Sequence, residues 1–125
     1  MLGNMAVAKH MEYLNNGTGF WNAWRSENLW IRPVLTGASL DGRDLSGINF
    51  LKANLSAASL RGARIRDADL RYTDFSGCNL ENVDFTGSNL MLADLTGATL
   101  TGAVGLDQES IDDALTDETT ILPAL

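Results

Sequence analysis

Residues 53–72 read ANLSA ASLRG ARIRD ADLRY. Cut into fives, the stretch places a large apolar residue third in every group: Leu55, Leu60, Ile65 and Leu70. The beat continues upstream through Phe50, Leu45, Leu40 and Leu35. Downstream it runs through Phe75, Leu80, Phe85, Leu90, Leu95 and Leu100. Such a period fits neither regular structure. On a helix, five residues advance a side chain by about 500°, a drift of about 140° per step, so the leucines would scatter over every face. On a flat strand an odd period sends successive leucines to opposite faces. One dry core needs them all on the same side, so the chain must turn a corner in every repeat.

The neighbouring positions agree. Two residues before each centre sits a small or compact residue: Ala38, Ala53, Ala58, Ala63, Ala68, Thr73, Cys78, Val83, Ser88, Ala93 and Ala98. One before it is usually a short polar residue, such as Ser39, Asp44, Asn49, Asn54, Asp69, Asp74 or Asn89. Two after it is often glycine, as at Gly37, Gly42, Gly62, Gly77 and Gly97. Small residues fit where the chain crowds inward at a corner, and Asp, Asn and Ser bond nearby backbone in turns. Self-similarity at a fixed period is the mark of a solenoid.

The groups A-N-L-S-A, A-D-L-R-Y, S-N-L-M-L and A-D-L-T-G resemble the A-[DN]-L-x-x pattern of the pentapeptide-repeat family. The resemblance implies an all-β solenoid, a right-handed, four-sided parallel β-helix in which four repeats make one coil. The centre and the small residue then face inward. It implies little about function, because one scaffold hosts different roles. Residues 35–103 are expected to form about three and a half coils, a column on the order of 15–17 Å tall at strand spacing. Residues 1–34 are expected to form an N-terminal helical cap and residues 104–125 a C-terminal cap.

Within the first cap, Met1–Asn4 is expected to be loose. Val7, Met11 and Leu14 are spaced for a helix over 6–14, stopped by Asn15-Asn16-Gly17. Thr18 is expected to cap a second helix reaching about Asn28. The segment W-N-A-W-R-S-E-N, followed by I-R-P, resembles the helical lead-in of cyanobacterial-type members of the family. That likeness assigns Trp21, Trp24 and Trp30 to covering the open first coil, whose strand edges and apolar end need a lid. His10 is the sole histidine and is expected to be solvated. Arg43 occupies an inward small position and is expected to meet a carboxylate of the cap, such as Glu27. At the other end, Asp107 is placed to cap a short helix over 108–115.

The formal charge is -7 and 45% of residues are hydrophobic, which suits a globular chain. Six acidic residues and no basic ones lie in 101–125, so the repeat body is nearly neutral. A single cysteine allows no internal disulfide and suits a reducing cytoplasm, and Cys78 falls on an inward position where an inert thiol is expected. No apolar run approaches a membrane span, and no membrane role is expected.

Stacking residues twenty apart sorts the outward positions into columns. On the first two faces, Asp41, Arg61 and Glu81, and Asp44, Arg64 and Asp84, alternate in sign. The third face differs. Leu51, Arg71 and Met91 stack beside Lys52, Tyr72 and Leu92, an apolar and aromatic group rimmed by two cations and a candidate protein-interaction patch. The fourth face, with Ser56, Ala57, Ser76, Gly77, Thr96 and Gly97, is smooth and small.

Catalysis is not expected. The one histidine lies outside the repeats, no phosphate loop, CxxC or HExxH occurs, and the leucines fill the interior. Neither a cofactor, a metal nor a small-molecule substrate is expected. The expected role is a non-catalytic interaction module for an unknown protein partner or for a second copy of itself. The alternative comes from the family resemblance. Some longer members mimic duplex DNA and bind DNA gyrase. A neutral repeat body argues against it, since a mimic must replace phosphates along its column, and a basic nucleic-acid-binding patch is lacking as well.

Overall fold

Parallel backbone bridges join residues twenty apart around the whole column, from Val34–Asn54 and Ser39–Ser59 down to Asn79–Thr99 and Asp84–Val104. Four repeats therefore complete one coil. The computed structural model describes residues 6–125, so the segment Met1–Asn4 lies outside the described residues. All the centres from Leu35 to Leu100 are buried, none more than 3% exposed. Three phenylalanines, Phe50, Phe75 and Phe85, thicken the core, with Phe75 and Phe85 packed edge to face.

The sequence rules follow from where each backbone donor goes. Taking Phe75 as a centre, its N–H donates to Asp94 O in the coil below, and Gly77 N–H donates to Thr96 O. Cys78 N–H turns back to Phe75 O, which closes the corner. Asp74 N–H donates upward to Ala53 O. The remaining amide, that of Ser76, has no ladder partner and is taken by the Asp74 carboxylate at 2.8 Å. The same side-chain bond recurs from Asn49, Asn54, Asp69, Asn79, Asp84, Asn89 and Asp94 to the amide two residues on. The Asp and Asn residues one before a centre are thus turn acceptors, which explains their fixed place in the repeat.

Among the described residues three helices flank the coils: α1, Ala8–Asn15; α2, Thr18–Glu27; and α3, Gln108–Asp113. Thr18 does not cap α2 as expected: Gly17 holds the cap position with no side-chain bond, and Thr18 is the first helical residue. The expected helix start at residue 6 moves later because Val7 is extended and its N–H donates to Val34 O at 2.9 Å. Similarly, α3 ends before the expected residue 115. Ala114 is extended, and Leu115 pairs with Asp94 as a further rung of the ladder. Asp107 caps α3 by accepting from Ser110 N–H at 2.8 Å.

The N-terminal cap holds the first coil through side chains. Trp21 is fully buried, lies edge-on to Phe50, and donates from its indole N–H to Asn49 O at 2.7 Å. Asn22 brackets the same edge, donating to Gly47 O at 2.9 Å and accepting from Asn49 N–H at 2.8 Å. Arg25 is 1% exposed and donates to Ile31 O at 2.6 Å and Leu51 O at 2.9 Å. Burial pulls its guanidinium below the usual arginine range, against the opposing pull of Asp69.

Two expectations for this cap are overturned. Trp30 covers nothing: at 82% exposure it lies past the end of α2, out in solvent. His10 is not a solvated residue either. Its Nδ1 accepts from Val34 N–H at 2.9 Å, and its ring packs on Trp24 with centroids 5.2 Å apart. The first coil's unpaired edge at Val34 supplies the reason, since its N–H needs an acceptor.

Candidate interaction face

The third face is assembled by the ladder itself. Lys52 N–H donates to Arg71 O at 3.0 Å, Tyr72 N–H to Met91 O at 3.1 Å and Leu92 N–H to Asp113 O at 2.8 Å. These bonds stack Leu51-Lys52, Arg71-Tyr72 and Met91-Leu92 as three levels, with Asp113 beneath them. Both caps clip onto this strip. Arg25 bonds Leu51 O, and Arg32 donates from Nε to Lys52 O at 3.0 Å, while the end of α3 closes the bottom.

Among the described residues no segment lies across the strip. Tyr72 is 50% exposed, Met91 47% and Leu92 40%. Leu51 is half-buried under the cap, and Lys52 is exposed. The apolar group is therefore Tyr72, Met91 and Leu92, with Leu51 at its upper margin.

The backbone sets this column apart. Lys52, Tyr72 and Leu92 all adopt left-handed backbone, with φ of 63°, 57° and 57°. That conformation disfavours an L side chain by about 1–2 kcal/mol per residue. On the other faces glycine relieves it at most levels: Gly42, Gly62 and Gly102 on the first face, Gly47 and Gly87 on the second, and Gly37, Gly77 and Gly97 on the fourth, with Asn82, Asp67 and Ala57 as the single left-handed exception on each. A Cβ added at Gly62 or Gly77 would meet nothing within 4 Å, so it is the backbone and not space that favours glycine there. The third face alone has no glycine in its column. This signal is readable in the sequence, as the one column where the recurring glycine never appears.

The charges differ from the expected rim of two cations. Arg71 is held by Asp69 through a two-pronged contact, Nε to Oδ1 at 2.9 Å and Nη2 to Oδ2 at 2.8 Å. The side-chain bonds from Arg71 hold the Asp69 carboxyl below its ordinary range. Lys52 is left without a carboxylate within 4 Å among the described residues. On the second face Arg64 does reach Asp44, at 3.3 Å, while Asp84 pairs with Arg66 at 3.7 Å. On the first face no ion pair forms among the described residues. Asp41 accepts from the Arg61 backbone N–H at 3.0 Å instead, because that amide has no other acceptor in the turn.

Arg43 makes no ion pair with Glu27. The α1–α2 turn, and not the end of α2, packs over its corner, so Arg43 lines a cleft of about 190 Å³ with Leu14, Asn15, Gly17, Thr18, Asp44 and Leu45. Cys78 is buried and donates from its thiol to Leu55 O at 2.9 Å, and burial pushes that thiol up to about 12. Among the described residues there is no group of three metal-ligating side chains, and no helix is long and apolar enough to cross a membrane.

Comparison with known proteins agrees with this architecture. A model of pentapeptide repeats matches residues 34–71 and 68–104. A pentapeptide repeat protein from the cyanobacterium Nostoc is 28% identical over 96% of this chain and 87% of its own, with a TM-score of 0.50. Others come from the thylakoid lumen of Arabidopsis thaliana, at 32% identity over 56% and 55% of the two chains with a TM-score of 0.33, and from the cyanobacterium Cyanothece, at 25% identity over 80% and 96% with a TM-score of 0.28. No curated protein matches the chain in sequence. With the repeat model covering more than half its residues and the coils built as the repeats require, the chain belongs to the pentapeptide-repeat family and has its right-handed, four-sided β-helix.

Proposed function

We propose that the chain is a non-catalytic scaffold of the reducing cytoplasm that binds protein through its third face. One observation carries the reading: three bulky residues in a single column, Lys52, Tyr72 and Leu92, are held in left-handed backbone while their side chains stay exposed. Backbone held in a disfavoured region, with nothing gained in the core, points to use at a surface. The apolar and aromatic content fits the centre of a protein contact. Members of the family are in general non-enzymatic scaffolds, and the filled interior here offers no substrate cavity. The carboxylates one before the centres serve turns and arginine pairs, which favours this reading over DNA mimicry.

The test separates binding from folding. Tyr72→Gly and Leu92→Gly relieve the backbone and should raise stability by up to about 1 kcal/mol in urea unfolding, after allowance for the added freedom of glycine when unfolded. Both should weaken capture of a partner from native cytoplasm, and Leu92→Asp should abolish it with folding intact. If the glycine variants are clearly destabilised, these side chains support the coil and the binding reading is wrong. Inhibition of DNA gyrase supercoiling by the wild type at modest concentration would favour mimicry instead.

A further inference from the structure

The third face carries opposite charges at its two ends. Its top level holds the Lys52 ammonium, exposed and without a carboxylate within 4 Å among the described residues. Its bottom holds the Asp113 carboxylate, exposed and equally without a cation within 4 Å among those residues. Between them lie Tyr72, Met91 and Leu92, and Arg71 is neutralised by Asp69, while the exposed Arg32 guanidinium bonded to Lys52 O adds to the positive charge at the top. From top to bottom the strip is cation, apolar, apolar, anion, about 14 Å from end to end at strand spacing.

Such a strip is complementary to its own reverse. We propose that the third face pairs with the third face of a second copy, the two columns antiparallel about a two-fold axis that lies in the plane of the contact and runs across the columns. This names the partner for the face described under Proposed function and rests on that reading. With the axis between the Tyr72 and Leu92 levels, Lys52 of each copy lies over Asp113 of the other. Tyr72 then meets Met91 and Leu92 of the second copy, an aromatic ring against thioether and aliphatic carbon. An isologous contact needs a self-complementary patch, and a reversal of charge along one strip supplies it, whereas an unrelated partner needs no such symmetry. The face is only three levels tall, far below a standard interface, so the dimer is weak, micromolar or weaker.

Sedimentation equilibrium from micromolar to millimolar protein tests the pairing. The wild type should show a concentration-dependent dimer, and Leu92→Asp should remain monomeric with an unchanged melting curve. Lys52→Glu and Asp113→Lys should each raise the dissociation constant about tenfold, since two symmetric contacts are reversed at once. The double variant Lys52→Glu/Asp113→Lys should restore the wild-type value, because the exchanged charges meet again in the dimer. A wild type that stays monomeric throughout, or a double variant no tighter than the singles, overturns the proposal. Should Leu92→Asp not fold, the charge exchange at two exposed positions decides alone. A monomeric wild type that still captures a partner, with capture lost in Leu92→Asp, rejects self-pairing while leaving the interaction face standing.

Discussion

The two ends of the column solve one problem by different chemistry. Each end of a β-helix leaves backbone groups that the next coil would have satisfied. At the N-terminal end the cover is mainly helical, and helix backbone is already internally bonded, so beyond the one Val7 N–H to Val34 O bond it is side chains that reach the edge. Trp21, Asn22, Arg25, Arg32 and His10 each bond a backbone atom of the coils or of Val34. At the C-terminal end the cover is extended, and backbone does the work. Leu115 N–H donates to Ala93 O, Leu95 N–H to Leu115 O, Ile121 N–H to Ala98 O and Leu100 N–H to Ile121 O, all at 2.8–2.9 Å. The first cap is therefore specific about residue identity and exposed to protonation. The second is tolerant, since any residue but proline carries the bonds it uses.

The sharpest way to break this contrast is to truncate the N-terminal anchors. Trp21→Ala should cost about 3–5 kcal/mol, because it empties a buried site against Phe50 and orphans Asn49 O. Arg25→Ala should cost about 3 kcal/mol, leaving the half-buried carbonyls of Ile31 and Leu51 without this donor, and both losses are read from urea unfolding. At the C-terminal cap, Leu115 and Ile121 are 47% and 53% exposed, so alanine at either should cost less than about 1 kcal/mol. Equal losses at the two ends would sink the distinction.

A pH titration offers the subtlest test. His10 titrates ordinarily near 6.5, and burial, helped by the charge of Arg25, lowers that value in the folded chain. The folded state thus favours the neutral ring, which alone can accept from Val34. Stability should be flat above pH 6.5 and decline as the pH falls from that value through the lowered one. His10→Phe keeps an aromatic ring against Trp24 but cannot titrate. Its melting temperature should start lower and lose this step, and a step of unchanged size would assign the effect to other groups.

The coils are legible in the sequence because their constraint is local and repeated. A large apolar residue that must point inward marks every repeat, and a short polar residue that catches an amide two ahead and a glycine that turns left-handed mark most of them. The caps are harder. Arg25 reads as a surface residue in isolation, yet it lies four residues after Trp21, on the same stripe of α2, and that spacing is the available signal. Trp30 misleads for the opposite reason: an aromatic residue near a lid reads as lid, although it follows the end of the helix. Asp69 and Arg71 sit two apart across a corner, where neither helix nor strand rules anticipate a contact. The glycine-free column is open to view in the sequence, but its weight comes from the left-handed backbone of Tyr72 and Leu92, which only the structure shows.

The twenty-residue register has a consequence for how such a chain can change by descent. Loss of one five-residue unit, say 81–85, leaves every later leucine inward and every turn intact. It nevertheless swings all that follows by a quarter revolution, bringing Met91 and Leu92 beneath Arg66 and Asp67 instead of Arg71 and Tyr72. Loss of four units shortens the column without turning it. Small deletions in this gene are thus angular moves, able to erase or reunite a surface in a single inherited step while the interior registers nothing.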